Sequence, residues 1–198
     1  MPLSNFMNKM KIDIYDRAVS AGFMIGFAAL LSCHIANQYL AALFFSIGLL
    51  YIRITKAYLF TGQVQNLKNK ITTLTELFIG LFGNLIGVGV ALLIFAFLTG
   101  TNNAASNKFI LLAEAKWNYP WYHYFLSGIC CGILMTIATK KESPLWLSII
   151  CVAAFILAGF NHCIADWFYI GNFFSHRFFL WLSIMVGNFV GGYLVATK

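Results

Sequence analysis

Six stretches of this chain, about 18–36, 39–60, 75–98, 121–139, 144–165 and 178–197, are dominated by apolar residues. Each comes close to the length of about 20 residues needed to cross roughly 30 Å of hydrocarbon. This feature decides the fold class, because backbone N–H and C=O groups in a bilayer must find partners within their own segment, and a run of this length does so as a helix. Over 198 residues the chain is 61% hydrophobic and 10% charged, with a mean hydropathy of +0.80. A soluble domain of that size could not hide so much apolar surface. The connections are too short for a separate folded unit, so residues 18–198 read as one membrane-embedded domain. The polar segment 1–17 reads as a short cytoplasmic helix at the interface; it lacks the apolar core of a cleavable signal peptide.

The basic residues orient the spans. With an even number of spans both termini share a side, which then holds Lys9, Lys11, Arg17, Lys68, Lys70, Lys140, Lys141 and Lys198, against Lys108, Lys116 and Arg177 opposite. That asymmetry places both termini in the cytoplasm. The formal charge of +7 is therefore a topology signal, and no basic tract points to nucleic acid. Cys33, Cys130, Cys131, Cys151 and Cys163 all fall in spans without a CxxC pair and read as small buried hydrophobes.

Polar residues inside such spans are expensive and mark either a pathway or a satisfied packing contact. The stretch Ala158 to Tyr169 carries Asn161, His162 and Asp166, and reads as an interrupted helix beside a permeation path. In the second span Phe45, Leu49, Arg53 and Lys56 share one helical stripe. Arg53 and Lys56 either snorkel to the cytoplasmic interface or line a water-filled inner vestibule. Leu59-Phe60-Thr61-Gly62-Gln63 suggests a second interruption, and the polar segment Gln63 to Lys70 follows. Thr73-Leu74-Thr75-Glu76 has capping-box spacing and starts the third span. There Gly80, Gly83 and Gly87 form a small-residue face beside Asn84, and the sixth span repeats the pattern with Gly187, Asn188, Gly191 and Gly192. The loop over about 99–120 reads as extracellular, with Trp117, Tyr119, Trp121 and Tyr122 as interface anchors. Pro120 and Pro144 stand at span starts.

Thr61 precedes Asn84 by 23 residues and Asp166 precedes Asn188 by 22. Each half thus reads as a span, an interrupted span and a glycine-rich span. Three spans per half give the halves opposite orientations, an inverted repeat of the kind that holds a transport site near the midplane.

These residues resemble the formate–nitrite transporter family over about 18–198. The pieces that carry the resemblance are Phe45-Ser46-Ile47-Gly48-Leu49, Leu59-Phe60-Thr61-Gly62, Gly83-Asn84-Leu85-Ile86-Gly87, Gly159 to Ala165 and Gly187 to Gly192, in family order and at family spacing. The resemblance implies an all-α, aquaporin-like protomer of six helices with broken second and fifth helices, assembled as a homopentamer. It puts the central pore histidine at His162, the threonine of the first broken helix at Thr61, the constriction residues at Phe45, Leu49, Leu59, Phe60 and Phe155, and the vestibule lysine at Lys116. The chain departs from the family in having Asn161 where an acid usually precedes the histidine, Asp166 where Asn usually follows it, Gly132 in place of an Asn, and Arg53 and Lys56 in a normally apolar span. The expectation for the displaced charges is that Asp166 pairs with Arg53 or Lys56, within the protomer or with a neighbouring one.

The implied function is a channel or transporter for small monovalent anions of weak acids, proton-linked through His162, whose ordinary pKa of about 6.5 allows exchange near neutral pH. Its partners are the anion, protons and the bilayer, and it needs no cofactor. A channel for a small neutral solute is the alternative on the same fold. An intramembrane metalloenzyme built on His162, Cys163 and Asp166 lacks a second ligand cluster, and no nucleophile motif with a base is evident.

Overall fold

The computed structural model describes residues 3–100, 103–171 and 176–196, and the regular structure among them is helical. The elements are α1 (Leu3–His34), α2 (Gln38–Thr55), α3 (Phe60–Lys68), α4 (Leu74–Thr99), α5 (Ala104–Ala115), α6 (Trp121–Thr139), α7 (Leu145–Leu157), α8 (Cys163–Trp167) and α9 (Arg177–Leu194). Helices α1, α2, α4, α6 and α9 are long and apolar enough to cross a membrane. The sixth expected span, 144–165, is divided between the shorter apolar α7 and the single turn and a half of α8. Lys198, counted above with the cytoplasmic cations, lies outside the described residues.

Three features differ from the sequence reading. Residues 3–17 are the start of α1 and run without interruption into the first span. No glycine or proline occurs between Leu3 and Gly22 to end the helix there. The loop over 99–120 contains α5, capped by Asn103, whose side chain accepts the Ser106 N–H at 2.9 Å. Its Phe109 packs on Phe95 and Phe168, which fixes it over the core. The first interruption comes at Lys56 to Leu59, a few residues earlier than expected, and the polar segment after Thr61 is helical as far as Lys68. The capping box at Thr73 and Glu76 is present as expected.

Two helix pairs carry most of the packing, α1 against α4 and α6 against α9, with α2 lying between α1 and α7. In lipid there is no hydrophobic drive between helices, so close backbone approach through small residues holds such pairs. A Cβ on Gly87 would overlap the Val19 carbonyl and the Phe23 amide across α1. A Cβ on Gly132 would overlap the Asn188 carbonyl across α9, which accounts for glycine at that position.

The two interruptions are clamped alike. Asn84 accepts the Phe60 N–H at 2.8 Å and donates to the carbonyls of Ala18 and Tyr58, each at 2.8 Å. Asn188 accepts the Cys163 N–H at 2.8 Å and donates to the carbonyls of Gly128 and Asn161, each at 2.9 Å. Each buried amide thus pairs an N–H and a carbonyl at a break that would otherwise be stranded in an apolar interior, and ties the break to a carbonyl of the neighbouring helix, Ala18 in α1 or Gly128 in α6. The Tyr58 N–H bonds the Arg17 carbonyl, and the Asn161 N–H bonds Ser127 Oγ. In this register Phe60 corresponds to Cys163, so Thr61 and Asp166 are not equivalent positions.

Candidate functional site

The chain leaves α7 at Leu157 and turns at Gly159, whose φ of +72° is readily adopted only by glycine. Phe160, Asn161 and His162 then run non-helically to α8. His162 is the N-cap of α8, and its Nδ1 accepts the Ala165 N–H at 3.1 Å. With Nδ1 an acceptor, the neutral ring carries its proton on Nε2. Nε2 lies 2.9 Å from Thr61 Oγ1, which accepts it. Thr61 sits in the first turn of α3, so the site is made where the starts of α3 and α8 meet. Both residues are essentially inaccessible, at 0% and 1% exposure. Both imidazole nitrogens are engaged in these bonds.

Aromatic rings extend the site on one side. Phe155 stacks on His162 at 5.7 Å between centroids, and Phe45 meets Phe155 edge-on at 6.2 Å. Two cavities approach from opposite faces. The smaller, about 380 Å³, is lined by Phe45, Phe155, Lys116, Asn161, Asp166 and Tyr169 among others. The larger, about 1150 Å³, reaches Ile52, Leu59 and Gly62 and is edged by Arg53, Lys56 and Lys140. Helix α2 runs past both, with Phe45 at the first cavity, Ile52 at the second and the buried Leu49 between. Seven residues of helix separate Phe45 from Ile52, so the barrier between the cavities is about 10 Å thick. Thr61, His162, Leu49 and Phe60 line neither cavity and are buried.

The charges are arranged otherwise than expected. Asp166 pairs with Lys116 at 2.8 Å through Oδ1, and neither Arg53 nor Lys56 of the same protomer reaches it. Its Oδ2 accepts from Asn161 Nδ2 at 2.8 Å, and Asn161 Oδ1 in turn accepts from Ser127 Oγ. The reason is position along α2, because Arg53 and Lys56 lie at the far cavity. Arg53 donates to the carbonyls of Lys140, Ser143 and Pro144 and to Ser148 Oγ, at 2.6–3.4 Å, fastening α2 to the α6–α7 turn. Lys116 caps the end of α5 and lies over the Tyr169 ring at 5.8 Å. Ser127 and Tyr169 belong to this network and were not singled out in the sequence. Ser127 was readable as one of the few hydroxyls in its span, whereas Tyr169 looks like any interface aromatic.

Five apolar helices, two broken segments and a polar pair inside a thin barrier between opposed cavities define an integral membrane protein with the architecture of a channel. The description "Formate/nitrite transporter" matches residues 7–197. The chain belongs to that family. It is 25% identical over 152 residues to the formate channel FocA of Haemophilus influenzae, a match covering 68% of this chain and 53% of that relative, about half its length. It is 26% identical over 243 aligned positions to the formate channel FocB of Escherichia coli K12, covering 93% and 84%. Among solved structures it is similar to a pentameric formate channel with formate bound, with a TM-score of 0.77, 22% identity and 94% of each chain covered. It is also similar to an ion channel of the same family, with a TM-score of 0.76, 18% identity and coverage of 98% and 96%. Those two likenesses establish the fold. The family and these relatives are transporters and channels by name, which fits a chain that performs no covalent chemistry.

Proposed function

We propose that this protein is a channel for the small monovalent anions of weak acids, and that the anion crosses the barrier together with a proton. The observation that carries the reading is the Thr61–His162 pair at 2.9 Å inside a barrier about 10 Å thick. A bare anion would lose its hydration between Phe45, Leu49, Leu59, Phe60 and Phe155, at a cost the apolar side chains cannot offset. The neutral acid loses far less. An acid such as formic acid has one O–H donor and one carbonyl acceptor, and the pair offers it one partner for each. His162 Nε2–H donates to the carbonyl oxygen, and Thr61 Oγ1 accepts from the acid hydroxyl. Insertion of the acid replaces the Thr61–His162 bond with two bonds of the same kind, so the midpoint of the barrier is not a polar void. Asn161 and Asp166 act by fixing Lys116 and the entry to the histidine, and Asn84 and Asn188 by holding the two breaks open. The glycines Gly83, Gly87, Gly187 and Gly191 let the supporting helices approach.

The same reading makes the halves a 3+3 inverted repeat of six spans, supported by the matched bonds of Asn84 and Asn188. The larger cavity faces the cytoplasm by the excess of cations around it, so both termini are cytoplasmic in a plasma membrane. The likeness to a pentameric formate channel supports a homopentamer, and the names of the curated relatives support formate as the first substrate to test.

A channel for a small neutral solute is the second reading, favoured by one observation. Asp166 neutralises Lys116, so of the two lysines lining the smaller cavity only Lys108, held by the carbonyls of Ser32 and Ile35, lacks a carboxylate partner among the described residues, and the cavity concentrates anions less strongly. Counterflow in proteoliposomes separates the two. Trapped formate should drive uptake of labelled formate and be displaced by nitrite, hydrosulfide, acetate or lactate in some order, whereas glycerol and urea should neither enter nor compete. Glycerol or urea entry without anion exchange would overturn the anion reading.

A further inference from the structure

The larger cavity has more charge and more room than the passage of a small monovalent ion requires. Its lining includes five cations, Arg17, Arg53, Lys56, Lys140 and Lys141, against one carboxylate, Glu142. Arg53 is held only by neutral acceptors, three carbonyls and a hydroxyl, so its charge stays uncompensated while its donors are used. Arg17 is the one of the five with a carboxylate partner among the described residues, Asp13 at 3.3 Å. Lys56 has its backbone fixed by the C-cap of α2 and its carbonyl bonded to Arg17, and its ammonium faces no carboxylate of the described residues within ion-pair distance. Neither do Lys140 and Lys141. Gln63 has its carbonyl oxygen taken by Asn66 Nδ2 at 2.6 Å, which leaves its NH₂ as the donor. Topology alone asks for cations near the cytoplasmic span ends and does not ask that they share one concave site. The volume of about 1150 Å³ exceeds the range of roughly 300–1,000 Å³ usual for small-molecule sites. Lysines act as point-charge ligands for phosphate, and several around one cavity favour a multiply charged ion over a singly charged one.

We infer that this cavity binds a soluble polyvalent phosphate anion, of the inorganic polyphosphate or nucleoside polyphosphate kind, through Lys56, Lys140 and Lys141, and that the bound anion obstructs the pore. The floor of the cavity is Ile52, Leu59 and Gly62, the near face of the barrier, so an occupant stands in the path of anything leaving or entering there. The ligand is soluble rather than a lipid headgroup because the cavity extends inward to that barrier.

The test uses inorganic tripolyphosphate and the purified full-length protein in nanodiscs of zwitterionic lipid, read by titration calorimetry. The expected result is saturable binding, one ion per protomer, weakening steeply with salt. K140Q/K141Q should weaken it about tenfold or more, the scale of two lost charge contacts, with unchanged melting. E142Q should tighten it. In proteoliposomes, tripolyphosphate should block formate flux only from the face that bears Lys140, and K140Q/K141Q should keep its basal flux while losing the block. Absent binding, affinity unchanged in K140Q/K141Q, or binding abolished by adding anionic lipid would each overturn the inference. Calorimetry does not depend on transport, so a protein that binds the ion but carries no formate would overturn the channel reading and leave this site standing.

Discussion

Asp166 Oδ1 stands 2.8 Å from Lys116 Nζ, joining the short helix beside the buried histidine to the end of α5. The Asp166 side chain is almost wholly enclosed, at 3% exposure, whereas the Lys116 side chain is 24% exposed. Removing one partner therefore has unequal consequences. K116M strands a buried carboxylate and should cost several kcal/mol, short of the ~3–5 kcal/mol of a fully buried pair because Lys116 is partly hydrated. D166N leaves a cation that can still reach water, and should cost less. The double variant should recover much of the K116M loss, giving a coupling of about 1–3 kcal/mol in a double-mutant cycle read by unfolding in detergent. Strictly additive losses would mean the pair is not an energetic unit.

Asn84 and Asn188 each close three backbone bonds at an interruption. N84A or N188A leaves one N–H and one carbonyl of the break unpaired in an apolar interior, at about 1–3 kcal/mol for each group that finds no water, while the carbonyls of Ala18 and Gly128 keep their partners within α1 and α6. Both variants should melt lower by similar amounts, and N84D should also lose stability because a carboxylate cannot donate to Ala18 and Tyr58. Intact melting in N84A would show that the break is held by other contacts.

Arg53 and Lys56 share a helical stripe and differ in what they do. The Arg53 fork grips four acceptors, so R53K keeps the charge, loses the fork and should cost about 1–2 kcal/mol. K56Q should stay within about 0.5 kcal/mol of wild type, as expected for an exposed side chain without partners. Thermal melts of the two variants side by side check the contrast, and equal losses would contradict it.

Gly132 sits where a Cβ would overlap the Asn188 carbonyl. G132A should separate α6 from α9 and cost about 1–3 kcal/mol, the usual penalty of overpacking. Because Asn188 also caps Cys163, formate flux should fall with stability. A G132A protein of wild-type stability would show that the helices have room to part.

Much of this was legible from residue order, for identifiable reasons. Span placement follows from the bilayer's demand for long apolar helices, and the break before His162 is announced by Gly159 with three polar residues in an apolar run. Asn84 and Asn188 stand out because an amide flanked by glycines inside a span must be bonding backbone. The partner of Asp166 was not legible. Helical stripes say which residues share a face but not how far along the membrane normal two helices align, and Arg53 lies a barrier's thickness from Asp166. α5 was missed because a mixed 12-residue segment carries no membrane signal and its packing rests on Phe109 meeting rings distant in sequence.

The central claim is that a weak acid crosses as a neutral species that exchanges hydrogen bonds with Thr61 and His162. The most direct measurement is labelled formate uptake into proteoliposomes as external pH falls from about 8 to about 5, for wild type, H162F and T61V. Above the pKa of a weak acid, its protonated fraction rises about tenfold for each unit by which the pH falls. Uptake in wild type should therefore climb steeply on acidification, H162F should lose it across the range, and T61V should keep a reduced flux of the same pH slope. Uptake indifferent to external pH, or a wild-type rate in H162F, would contradict the account.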